Sequence, residues 1–394
     1  EGASMKEFND MKTITKLALL GSALALGAGP VFAVDHYIAA KAFAKTLPDG
    51  STVSMWGYVI DPDNSGDGVG DCYQAPTRAD RLVCVNGLPE AVSPGPQLTV
   101  PADDQNLRVF LSNGLPEATS LVITGQEMPF SQDDNGPTWN DGTLGARTDP
   151  AQRVRSFGRE ALSNGGRQRY LWNTFRATPF VRPGGFVYHS ATHPQKQVYM
   201  GLYGAVTKNA VEADAVAGTP AEAYPGVPYD NEVVLFYSDI DPAHNAAVVG
   251  GTYTTSIDYH ASWFLVNGEP YASGVTPDIP AGAAGETTLV RLFSAASETH
   301  VPVLQGMHMM IHAEDGLPYT YQAGATVAGT APRTQYSAML PPLKTKDATI
   351  LVPATATRLA IYDGNGSITN PSNPDDVAVG DTVGGMLRFL SFGP

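Results

Sequence analysis

Apolar and polar positions alternate with a period of two at many points along the chain. The pattern is clear in Leu107-Arg-Val-Phe-Leu-Ser112, Ser120-Leu-Val-Ile-Thr124, Gly185-Phe-Val-Tyr188, Glu232-Val-Val-Leu-Phe-Tyr237, Ser262-Trp-Phe-Leu-Val266 and Thr349-Ile-Leu-Val352. Runs of this length and period predict strands, and clusters such as Ser93-Pro-Gly-Pro96 predict the turns that bound them. One helix is expected, over His36 to Lys45, where Ala and Lys favour it. The stretch from Glu212 to Asn231 is rich in Ala, Pro and Gly and has no period, so it reads as a linker. The halves on either side echo each other. Leu107-Arg-Val-Phe-Leu-Ser112 followed by Gly125-Gln-Glu-Met128 parallels Leu289-Val-Arg-Leu-Phe-Ser294 followed by Gly306-Met-His-Met309. One fold used twice is the expectation.

Composition supports this picture. The 394 residues include 41 glycines and 31 prolines, with only 16% charged. That suits many short strands joined by turns, an all-β arrangement of sandwiches. The N-terminus reads differently. Lys12 and Lys16 precede an apolar run from Leu17 to Leu26, and Val31-Phe-Ala33 offers small residues for cleavage. This is the pattern of a secretory signal peptide cut near Ala33, with some ten residues upstream of Met11 set aside. A periplasmic or secreted protein is expected, with no membrane span in the mature chain. Residues 1–33 carry three acids and three bases, so the mature chain keeps the net charge of −15. Such a surface repels nucleic acid and anionic membranes. The two cysteines, Cys72 and Cys84, read in an exported chain as one disulfide; neither has a neighbouring histidine to suggest a metal pair.

The order of several motifs resembles the multicopper oxidase family over most of the mature chain. Pro94-Gly-Pro96, Leu107 to Pro116, Arg153-Val-Arg-Ser-Phe157 and Arg182-Pro-Gly-Gly-Phe-Val-Tyr-His189 resemble its first domain. Leu292 to Pro302, Gly306-Met-His-Met309 and Ala313-Glu-Asp-Gly316 resemble its second. The resemblance implies two cupredoxin-like Greek-key β-sandwich domains, at 34–211 and 231–394, joined by the linker 212–230. It implies no third domain, since Pro394 follows the last strand of the second.

Taken residue by residue, the copper ligands implied by the family are depleted. Val122 and Thr124 stand where its first histidine pair would be. His189 retains one member of the next pair, and His193 lies two positions late for the other. Nitrite-reductase-like chains place His-Cys here, with a later His and Met; this chain has Ser190, Gln197 and Leu202. A blue copper site needs a thiolate with two imidazoles. His189 and His193 remain the first metal candidates, for copper or zinc. His308, Met310 and His312 share one face of an expected strand and are the second, with ordinary sandwich core as the other reading. Asp61-Pro-Asp-Asn-Ser-Gly-Asp-Gly-Val-Gly-Asp71 has the alternating oxygen donors of a calcium loop without its closing Glu, and otherwise reads as a solvated acidic turn. There is no Gly-x-Ser-x-Gly elbow and no phosphate loop between a strand and a helix.

Three functions stay open. One is a binding, structural or assembly component that is not itself an oxidase. The second is a copper-dependent oxidoreductase with a reduced or subunit-shared site, and the third a copper carrier. Exposed sandwich edges leave homo-oligomers or extracellular assembly open as well.

Overall fold

The computed structural model describes residues 34–127, 136–144, 149–173, 179–323, 326–355, 358–371 and 382–393. Residues 1–33, where a signal peptide is expected, lie outside them. The first element corrects an expectation. Strand β1 (Val34–Thr46) occupies the place where Ala and Lys suggested a helix. It pairs antiparallel with β2 (Thr52–Ile60), from Ile38↔Ile60 to Thr46↔Thr52. Its other edge runs parallel to a strand further on, from Val34↔Leu107 to Ala40↔Asn113. Ile38 and Ala40 enter the main core, while Ala39 enters a second cluster with Val59, Cys72 and Val85. A helix preference of well under ~1 kcal/mol per residue cannot compete with a strand paired on both edges and buried on both faces.

Next come β3 (Gly95–Val100), β4 (Leu107–Asn113), β5 (Val122–Ile123), β6 (Gly166–Trp172), β7 (Gly184–His189) and β8 (Tyr203–Lys208). They form one sheet in the order β2-β1-β4-β6 and another in the order β3-β8-β7-β5. Trp56, Tyr58, Leu111, Tyr170, Phe186, Tyr188 and Leu202 fill the space between. Helix α1 (Arg78–Gly87) lies outside this sandwich. It is opened by a capping box in which Thr77 and Asp80 each bond the other's backbone N–H. The disulfide Cys72–Cys84 is formed and ties α1 to the turn before it.

The aperiodic stretch after β8 holds a hairpin, β9 (Ala221–Tyr224) and β10 (Val227–Tyr229). Its Ala223, Tyr224 and Val227 bury against Leu289 and Ala313, so it is a packed element rather than a free tether. The second sandwich contains β11 (Asn231–Ile240), α2 (Pro242–Val249), β12 (Trp263–Val266), β13 (Ile279–Ala283), β14 (Thr287–Ser294), β15 (Pro302–Leu304), β16 (Met309–Glu314), β17 (Thr345–Leu351), β18 (Arg358–Asp363) and β19 (Leu387–Gly393). Its sheets run β12-β11-β14-β17-β16 and β13-β19-β18-β15. The first sandwich's topology is thus repeated. β1∥β4 matches β11∥β14, and β3∥β8 matches β13∥β19. Among the described residues no helix is long and apolar enough to cross a membrane.

The two sandwiches are joined at β7. The Gly185 N–H donates to Asp347 Oδ2 at 3.1 Å, and the Thr345 hydroxyl donates to the Gly185 carbonyl at 2.8 Å. Phe236, Phe293, Val187 and Tyr203 form a shared apolar cluster beside them. A side chain at Gly185 would strike the Phe293 ring, so only glycine admits this approach. Strand β7 is therefore held from both sides before it delivers its last residue, His189.

Candidate metal centre

His189 ends β7 opposite Val122 of β5 and is buried. Both of its ring nitrogens are engaged. Nδ1 lies 2.8 Å from the Ser190 carbonyl, and Nε2 lies 3.0 Å from Thr124 Oγ1. A carbonyl can only accept, so Nδ1 carries the proton and Nε2 accepts the Thr124 hydroxyl hydrogen. Burial holds the imidazole's pKa down to about 4, and its bond to Ser190 only partly opposes this. The ring is neutral at ordinary pH, and its lone pair is spoken for. Thr124 does more than lack a ligand: it occupies the retained histidine.

The loop from β7 to β8 turns at His193, whose φ of 41° is left-handed, and then makes the single turn Pro194–Gln197. This turn sends Gln197 inward, where it is fully buried with Thr119, Ser190 and Leu202. Ser190 Oγ donates to Gln197 Oε1 at 2.6 Å, and Thr119 Oγ1 donates to the same oxygen at 2.8 Å. The two hydroxyls lie 3.2 Å apart. Gln197 Nε2 donates to the Ala118 carbonyl at 2.9 Å, which fixes the amide's orientation. The backbone closes the same ring, with Ser190 N–H to Leu202 O at 3.0 Å and Leu202 N–H to Gln197 O at 3.1 Å. A second buried set lies alongside. Ser120 Oγ is 2.7 Å from Ser156 Oγ and 2.9 Å from Thr192 Oγ1.

These residues do not fit a blue copper ion. The positions that would supply thiolate, imidazole and thioether supply a hydroxyl, an amide and an isobutyl group. Thr119, Ser190 and Gln197 also satisfy one another in the buried space between them, so an ion would have to break bonds as well as lack donors. The sequence does not mark Thr119, Ser120, Ser156 and Thr192 as members of this cluster. Hydroxyl residues before and after strands are common, and only the fold shows that three segments converge.

The other candidates lie apart. His193 is half-buried, and its pKa is lowered first by burial and then by Lys196, with Glu117 and Glu160 opposing. His308 is exposed, and its ring meets Tyr336 edge-on. Met310 is 42% exposed, whereas His312 is buried, with Nε2 2.8 Å from Thr349 Oγ1. The ladder shifts register between Ile311 and Ala313, making His312 the extra residue of a bulge. The shared face that strict alternation gives His308, Met310 and His312 is thereby broken. In the Asp61–Asp71 loop the carboxylates serve the loop's own backbone. Asp61 accepts N–H bonds from Cys72 and Tyr73, and Asp63 accepts them from Gly66, Asp67 and Gly68. That accounts for the acidic spacing without calcium. Among the described residues no three His, Cys, Asp or Glu side chains gather as a metal-binding group.

No family model matches this chain, and no curated protein matches it by sequence. Solved structures match it by fold. The multicopper oxidase mgLAC has a TM-score of 0.58 at 14% identity, over 91% of this chain and 86% of that one. The blue copper oxidase from Nitrosomonas europaea has a TM-score of 0.58 at 14% identity, over 91% and 85%. The copper nitrite reductase from Nitrosomonas europaea has a TM-score of 0.51 at 14% identity, over 92% and 94%. The chain has the two-sandwich cupredoxin fold that these proteins share.

Proposed function

We propose that this chain is a cupredoxin-fold protein whose first ligand loop has become a structural hydroxyl–amide cluster, and that it acts outside the cytoplasm as a binding, structural or assembly component. The observation that carries this reading is the closed set Thr119–Ser190–Gln197, which satisfies the loop internally where an ion would otherwise hold it. Export is supported by the signal-like N-terminus and agrees with a disulfide, which persists in oxidising compartments.

Metal analysis after exposure to copper and dialysis tests the reading. The expected result is far less than one copper per chain, no blue colour, and no oxidation of phenols or metal ions. Stoichiometric copper that disappears when His189 and His193 are both replaced would instead establish the oxidoreductase or carrier readings. A narrower prediction concerns the loop itself. Ser190→Cys should stay colourless when loaded with copper, because Thr119, Gln197 and Leu202 add no imidazole or thioether. It should also cost about 1–2 kcal/mol in denaturant unfolding, since Gln197 Oε1 loses a buried donor. A blue Ser190→Cys protein would sink the claim that the whole donor set has gone.

A further inference from the structure

A cavity of about 200 Å3 opens between α2 and the segment 250–262, with Asp241, His244, Tyr253, Asp258 and Tyr259 in its wall. Rings make up one part of that wall. His244 meets Tyr253 edge-on at 5.3 Å between centres and Tyr259 at 5.2 Å, and Tyr199 stacks on Tyr259 at 4.3 Å. The tyrosine hydroxyls are already engaged. Ser256 Oγ donates to the Gln195 carbonyl at 2.6 Å and accepts from the Tyr253 hydroxyl at 2.9 Å. Tyr259 donates to Asp239 Oδ1 at 2.9 Å. These bonds hold the rings in place.

The remaining polar groups are acceptors. Asp241 caps α2, accepting from the Ala243 N–H at 2.9 Å and from the His260 N–H at 3.0 Å. Asp258 is exposed and has no hydrogen-bond or ion-pair partner among the described residues. His244 is 6% exposed, and its Nε2 is buried without a partner. The Lys196 carbonyl bonds this ring and can only accept, so the proton sits on Nδ1 and the Nε2 lone pair is open. Burial holds the imidazole's pKa down, and Lys196 adds to this; the carbonyl bond and Asp241 oppose them. The ring is neutral at ordinary pH. A buried acceptor left open marks a place where a donor is missing. The nearby Lys196 ammonium lies 5.4 Å from the centre of the Tyr253 ring and is paired with Glu117, which offsets its charge. A free carboxylate, an open imidazole lone pair and aromatic rings all complement a cation that carries N–H groups.

We infer that this cavity binds a small organic cation with a primary ammonium group, of the alkylamine or arylalkylamine class. Asp258 supplies the counter-charge, His244 Nε2 accepts an ammonium hydrogen, and Tyr253 and Tyr259 cover the apolar body. The chain's net charge of −15 draws such cations toward the surface. The site needs no copper, so this inference and the copper test above can fail separately.

Titration calorimetry on the full chain tests this with butylammonium, butyrate and tetramethylammonium. Butylammonium should bind saturably, and roughly ten-fold or more tighter than butyrate, which has a similar apolar tail and the opposite charge. Tetramethylammonium keeps the charge but has no N–H to donate, and should bind roughly five-fold or more weaker than butylammonium. Asp258→Asn removes the free carboxylate from an exposed segment and should weaken butylammonium roughly five-fold. His244→Phe keeps a ring against the tyrosines and removes the open acceptor, which should cost roughly ten-fold. Asp258→Asn decides alone if His244→Phe does not fold. The inference is overturned by any of four results: no butylammonium binding, butyrate binding as tightly, tetramethylammonium matching butylammonium, or binding unchanged by the substitutions.

Discussion

Replacing Arg291 by alanine is expected to lower the unfolding free energy by about 3–5 kcal/mol, the usual cost of stranding a buried charge. Arg291 lies in β14 directly opposite Asp347 in β17, and its side chain is wholly buried. Nε is 2.7 Å from Glu232 Oε1, Nη1 is 3.2 Å from Asp347 Oδ2, and Nη2 donates to Asn209 Oδ1 at 2.8 Å. Burial disfavours the guanidinium's charge, but Asp347 and Glu232 outweigh that, so its pKa rises. Without the arginine, Asp347 keeps the Tyr224 hydroxyl and the Gly185 N–H but has no counter-charge in a dry site. Urea unfolding would measure the loss. A change under about 1 kcal/mol would show that water reaches this network. Replacing Arg291 by Met and Asp347 by Leu together should recover much of the loss, because a buried pair is held more by mutual dependence than by net gain.

Acid should weaken the fold through His189. Its folded pKa is about 4, against roughly 6.5 for a free imidazole. Between those values the unfolded chain takes a proton that the folded chain refuses. Its contribution is therefore complete above about pH 6.5 and is lost as pH falls toward about 4, amounting to roughly 3 kcal/mol. Asp239 works in the opposite sense, because burial raises its carboxyl and its folded form gains as pH falls. The informative quantity is therefore a difference between proteins. His189→Gln should narrow the stability gap between about pH 7 and about pH 4.5 by roughly 2 kcal/mol or more. Equal gaps in the two proteins would mean that His189 is hydrated.

The sequence shows most of the strands and the duplication, because period-two patterning survives wherever one face of a strand is buried. It misleads at β1, where Ala39, Ala40, Ala42 and Ala44 look helical and only their partners, far along the chain, make them a strand. It marks Ser190, Gln197 and Leu202 as absent donors, but a list of missing ligands does not show what replaces them. Thr119 lies 71 residues from Ser190, and their meeting depends on the packing of β5 against β7. Arg291 did leave a trace: a lone arginine inside Leu289-Val-Arg-Leu-Phe293 breaks an apolar run. Its partner, Asp347, sits in another strand that composition alone does not connect to it. His312 escaped for a local reason, since a bulge cancels the alternation used to place it.

The bonds that tie Gly185 to Asp347 and Thr345 have a thermodynamic meaning. They link the central strand of one sandwich to the charged core of the other, and Arg291 carries the link on to Asn209 and Glu232. Opening either half would expose a carboxylate or a glycine backbone that the other half was shielding. The repeated topology looks like two modules, but the energy is shared across the seam. The two halves are therefore expected to unfold in one cooperative step rather than as independent modules.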